Sequence, residues 1–95
     1  MALTRLKAEY VEDDGVLFSM KSEDGGVILC RVSHEALRDH AERLHFAGSD
    51  GAVFETYREL IEDIASAAFD VGGPSDDRGR ILVTSEAISR VTRSA

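Results

Sequence analysis

The sequence predicts an α+β domain of two layers, an antiparallel sheet of three or four strands with two helices on one face. Three observations predict it. Apolar residues alternate with period two through "GVLFSMKSEDGGVILCRV", residues 15–32. They recur with helical period in two later stretches, 34–45 and 50–70. The resulting order is β-hairpin, helix, helix, strand, which keeps the strands apart from the helix pair.

The first element is read from "TRLKAEY", where Leu6, Ala8 and Tyr10 share a face; it is the optional fourth strand, and the acidic "EDDG" ends it. In the hairpin, Val16, Phe18 and Met20 alternate, as do Ile28, Cys30 and Val32. Between them "EDGG" contains Asp24-Gly25, a turn signal because glycine accepts positive φ. Ser33 is placed to cap a helix from about His34 to His45, with Glu35 in the first turn favoured by the helix dipole. Leu37, Ala41 and Leu44 form its apolar stripe, and Arg38–Glu42 and Asp39–Arg43 lace its polar face at i,i+4.

"AGSDGA" reads as a loop, with Asp50 the expected cap of a second helix that runs to about Asp70. Its apolar residues, from Val53 and Phe54 to Ala67 and Ala68, cover an arc of roughly 160°. That width suits contact with both the sheet and the first helix. Glu55, Glu59, Glu62 and Asp63 lie on its polar face, with Arg58 the cation among them, placed to pair with Glu55 and Glu62. Gly72-Gly73-Pro74 stops the helix, and "PSDDRG" turns the chain into a short strand, "RILVT". Ser85 is placed to cap a final helical turn or two through "EAISRV". The whole, residues 1–95, is one domain with its core over about 15–88.

Composition narrows the function. The net charge is −7, divided unevenly: residues 1–77 carry −10 and residues 78–95 carry +3. Duplex nucleic acid is bound by neutralising phosphates with a basic surface, so so acidic a body argues against it. The longest apolar run is the four-residue "VILC", too short for a bilayer, and no apolar run follows the basic residues at the N-terminus as in a secretory signal. One cysteine closes no internal disulfide. A cytoplasmic setting is expected.

"CRVSHEALRDHAERLH", residues 30–45, gathers the one cysteine and all three histidines. Two histidines on a helix share a metal at i,i+4, but His34, His40 and His45 are spaced by six and five. Neither a metal nor another cofactor is expected. Cys30 alternates with Ile28 and Val32, so it reads as a core residue rather than a nucleophile. The histidines flank the apolar stripe, ring inward and polar edge toward water. No glycine-rich phosphate loop or nucleophile elbow is present, and no catalytic residues are assigned.

An ordered set of residues resembles a known family. The strand has Val16 and Phe18 in a Val-x-Phe pattern, Cys30 to Ser33 follow as Cys-Arg-Val-Ser, and Leu37 to His40 as Leu-x-Asp-His. Phe54, Arg58, Ile61 and Ala65 continue the match in the second helix. Many relatives place an aromatic where this chain has Ala41. Over roughly residues 15–88 the chain is similar to the small bacterial family called domain of unknown function 1488. The resemblance implies a two-layer α+β fold and a bacterial cytoplasmic protein. It brings no activity. Arg31, His40 and Arg58 are the polar members of the matching set, so they are the candidates for a shared binding site.

With no catalytic constellation, the expected function is a non-catalytic protein-binding or regulatory module. The alternative is a small-molecule-binding protein or minor enzyme with a polar site near Arg31, His40 and Arg58. Partners follow from alternation: if Phe18, Cys30 and Val32 face the helices, Leu17, Val27, Leu29 and Leu82 face away. Contiguous aliphatics there are expected to support a homodimer through the outer face of the sheet, or another protein partner.

Overall fold

The structure is a computed structural model that describes residues 3–7, 9–12, 14–72 and 79–94, the last three as backbone. Among these residues it is an α+β fold with one mixed sheet of five strands and four helices. Two strands form the predicted hairpin, β3 over Gly15–Ser22 and β4 over Val27–Ser33, in register Phe18↔Cys30 and Met20↔Ile28. At its open end Gly15 has φ +116°, and a Cβ there would stand 2.3 Å from the carbonyl oxygen of Val32. Only glycine fits so close a strand approach at that φ. At the other end Gly25 turns at φ +90°, and its N–H and that of Ser22 close the loop onto Ser22 and Gly26.

The N-terminal strand exists but is divided. β1, Leu3–Arg5, pairs antiparallel with Met20–Ser22, and β2, Val11–Glu12, pairs with Val16–Leu17 on the same edge of β3. β3 spans the gap between the partners of Arg5 and Val11 with Phe18 and Ser19 alone, Leu6 N still donates to the Ser19 carbonyl at 3.4 Å, and the described residues 7, 9 and 10 form an arch off this edge. Of the face expected from Leu6, Ala8 and Tyr10, Leu6 is exposed, Tyr10 packs partly buried against the core and Ala8 lies outside the described residues, while Leu3 is the residue of β1 that enters the core. Alternation breaks wherever an edge strand bulges.

α1, His34–Arg43, starts as expected, with Ser33 Oγ accepting from Ala36 N at 3.1 Å. It buries Leu37 and Ala41, but ends before Leu44, which is exposed. The long second helix is two helices, α2 over Asp50–Thr56 and α3 over Arg58–Val71. They part at Tyr57, whose φ −112° and ψ 23° leave the helical region. One straight helix would have to bury an arc too wide for one contact. The break lets α2 aim Val53 and Phe54, and α3 aim Ile61, Ile64 and Ala65, each into the core. The cap is Ser49, which accepts from Ala52 N at 3.2 Å, not Asp50. Gly72 ends α3 in the left-handed conformation at φ 64°. The expected Gly73-Pro74 stop and most of the following turn lie outside the described residues.

β5, Ile81–Val83, joins β4 in parallel, with Arg31↔Leu82 in register. The sheet order is β1-β3-β4-β5, so β4 is a central strand. The final helical turn is a full helix, α4, Ser85–Ser94, capped by Thr84, whose Oγ1 accepts from Ala87 N at 3.1 Å. Ile88 plugs it into the core, and Arg43 Nη2 donates to Ser89 Oγ at 2.7 Å to tie it to α1. In place of the two expected helices, the described residues form four. The inward side chains of the sheet, including Val16, Phe18, Cys30, Val32 and Val83, are buried beneath them.

Candidate functional site

The outer face of the sheet is the surface left open. By register its outward residues are Thr4, Val11, Leu17, Lys21, Val27, Leu29, Arg31 and Leu82, together with Ser19. Leu29 is 53% and Val27 59% exposed, although both sit on a strand inside the sheet. The arch stands over one side and borders a groove of about 210 Å³, lined by Lys7, Tyr10, Val11, Leu17, Leu29 and Arg80 among others. Glu9 lines it too. Arg31 lies across this face, where its Nη2 donates to the carbonyl of Asp14 at 2.6 Å and stands 3.4 Å from the Asp14 carboxylate. Its Nε is enclosed with no hydrogen-bond partner, an uncommon state for a buried donor.

On the other side of the sheet, Glu62 corrects the sequence reading. It was expected on a solvated face, yet it is 7% exposed. Arg5 from β1 clasps it in a bidentate pair, Nε–Oε2 and Nη2–Oε1 both 2.8 Å, and Arg58 Nε reaches Oε2 at 3.0 Å. Burial pushes the Glu62 carboxyl up, but the two guanidinium groups together hold it below the ordinary glutamate value. Arg58 is also buried. It donates to the carbonyl of Lys7 at 2.8 Å and lies 5.0 Å over the Phe54 ring. The Leu3 amide donates to Ser66 Oγ at 3.0 Å, so β1 is tied to α3 at two levels. Glu55 binds the Tyr10 phenol instead, and with burial raises its pKa.

Each histidine has its own surroundings. His40 is 3% exposed, its ring edge-on to Tyr57 at 4.4 Å, and neither ring nitrogen has a hydrogen-bond partner. It is a core residue rather than the boundary residue expected. Burial, and then the charge of Arg43, hold its pKa below the ordinary value. The unfolded chain therefore takes up the proton more readily than the folded one. Stability should be complete above about pH 6.5 and decline as pH falls below it. Urea midpoints at neutral pH and near pH 5 should show the fall, and His40→Gln should flatten it. An unchanged slope in that variant would assign the fall elsewhere.

His34 Nδ1 is 2.6 Å from Asp50 Oδ2, and Arg38 Nε is 3.1 Å from Asp50 Oδ1 without hydrogen-bond alignment. Asp50 thus pins α1 to the start of α2, the reason it is free of the capping role. His45 is exposed beyond α1, at φ 55°. Cys30 is fully buried, and burial, with the Glu62 charge, pushes its thiol up to about 12. It is a protonated core thiol at neutral pH. No group of three His, Cys, Asp or Glu among the described residues is placed to hold a metal. Nor is any helix among them long and apolar enough to cross a membrane.

The structure does not bring Arg31, His40 and Arg58 together. Arg31 is on the outer face with Asp14, His40 sits between α1 and the α2–α3 break, and Arg58 is bound to Glu62 and Lys7. Sequence reasoning placed Leu17, Leu29 and Leu82 on the outer face. It missed Lys7 and Tyr10, which the arch carries to the groove, and Val11, which short β2 sets beside Leu17.

No curated protein matches the chain. A crystal structure of a protein of unknown function from the DUF1488 family, from Shewanella loihica PV-4, matches with a TM-score of 0.68. It is 20% identical, and the match covers 86% of this chain and 91% of that one. Such a likeness speaks for the fold, and the two share an α+β architecture. A model of the family described as protein of unknown function, DUF1488, matches residues 5–83, from the end of β1 to the end of β5. The chain belongs to the DUF1488 family.

Proposed function

We propose that this chain is a non-catalytic protein-binding module that works through the outer face of its sheet. The observation that carries the reading is the exposure of Val27 and Leu29, outward on β4 where it pairs with β3, next to the stretch Cys30–Val32 that β5 joins. Apolar side chains scattered singly need no explanation, but these continue through Leu17 to Val11 and across to Leu82. The groove beside them, about 210 Å³, is smaller than the roughly 300–1,000 Å³ typical of small-molecule sites. It suits a side-chain anchor from another polypeptide. The dispersal of Arg31, His40 and Arg58 removes the support for a polar pocket built on all three.

A photo-crosslinker at position 29, compared with one at exposed Asp63 on α3, tests this in the native cell. Crosslinks to protein should concentrate at position 29, and an equal yield at both positions would refute the reading. Leu29→Lys should stay folded, within about 0.5 kcal/mol of the parent in urea unfolding, because the change is on an open surface. It should lose those crosslinks.

A further inference from the structure

The kind of partner is legible in the charge of that face, granted that it is a protein-contact surface. The chain carries 18 acidic and 11 basic side chains, so a random patch would be acidic. The outward positions of β1 to β5 instead carry Lys21 and Arg31 and no carboxylate. Lys7 and Arg80 line the groove. Among the described residues the acids of this face are Glu9 at the groove and Asp14, which already holds Arg31. The turn acids Glu23 and Asp24 border a different groove, beside Phe69 at the end of α3. The helix layer shows the opposite sign, with Glu35, Asp39, Glu42, Glu55, Glu59 and Asp63 all exposed.

We propose that the outer face receives an acidic polypeptide segment of another protein, an aliphatic side chain in the groove and carboxylates against Lys7, Lys21 and Arg31. A second copy fits less well. Two outer faces laid together by a two-fold axis set Lys21 and Arg31 mostly against aliphatics or further cations, since the acids of the described face are Glu9 and the Asp14 that already holds Arg31. The homodimer expected from the sequence is therefore the weaker occupant. An anionic bilayer is weaker still as an occupant, because it is too flat to fill the groove.

The test is a titration of the full chain with two synthetic peptides of the same alternating leucine pattern, one with glutamate and one with lysine between the leucines. Amide chemical shifts are the readout. The glutamate peptide should move the signals of Leu17, Lys21 and Leu29, and the lysine peptide should bind about tenfold more weakly or worse. Lys21→Glu, an exposed change that leaves the fold intact, should weaken the glutamate peptide about tenfold. Equal binding of the two peptides, or shifts confined to the helices, overturns the proposal while the crosslinks at position 29 still judge the broader reading. Two further results overturn it in favour of other occupants. One is a sedimentation mass that rises with concentration and is restored to the monomer by Leu29→Lys. The other is cosedimentation with phosphatidylserine vesicles that Leu29→Lys abolishes.

Discussion

Phe54→Ala is expected to lower the unfolding free energy by about 3–5 kcal/mol, the range for removing a buried aromatic ring. Phe54 is the largest fully buried side chain, and it is where separate parts of the fold meet. Its ring lies 5.0 Å from Tyr10 in the arch and 5.1 Å from Phe18 in β3, with the Arg58 guanidinium 5.0 Å from its face. Removing it opens a cavity, uncovers the edge of the sheet and takes the aromatic floor from a buried cation. The loss is large against a total of about 5–15 kcal/mol for a domain of this kind. Thermal melting should fall by more than about 10 °C. A fall of only a few degrees would mean that the arch collapses into the space. Phe54→Leu should cost much less, since most of the volume stays.

Glu62→Ala should cost a comparable amount, about 3–5 kcal/mol, because it leaves Arg58 buried without its carboxylate. Arg5 contributes less: its side chain is 43% exposed, and water can replace the lost partner. The pH dependence carries a clear sign. The folded carboxyl sits below the ordinary value of 4.5, so the unfolded chain binds the proton first. The stabilisation is present above about pH 4.5 and is lost as pH falls through the folded value. Urea unfolding at neutral pH and near pH 4 should show the parent losing stability, while Glu62→Gln, uncharged throughout, loses less. A Glu62→Ala protein within 1 kcal/mol of the parent at neutral pH would show that Arg58 finds water in place of the carboxylate. Because Arg58 touches both Phe54 and Glu62, the two substitutions should not be additive.

Of the candidate surface, the aliphatic part was legible from residue types alone. Leu17, Val27 and Leu29 fall opposite the core by strict alternation, which any strand imposes. Its charge was not legible. Lys7 comes to the groove only because the edge strand arches, and Arg80 only because β5 pairs in parallel beside β4. The three polar candidates chosen by resemblance, Arg31, His40 and Arg58, could be ranked from sequence but not placed relative to one another. Helix and strand faces become neighbours only through packing.

What the sequence by itself determined was local: the hairpin and its glycine turn, the Ser33 cap, the Gly72 stop, the burial of Cys30 and the α+β class. Each depends on residues within a few positions of one another, where backbone sterics and hydrogen bonding to the nearest amides act directly. The tertiary structure alone decided the burial of Glu62, the break at Tyr57 and the enclosure of His40. A glutamate on α3 looks solvated until Arg5, 57 residues away, arrives to neutralise it. A helix looks continuous until its two halves must fill different parts of one core. A histidine looks like a boundary residue until Tyr57 closes over it. Burying charge and bending a helix are locally unfavourable, so only contacts from distant segments can make them stable.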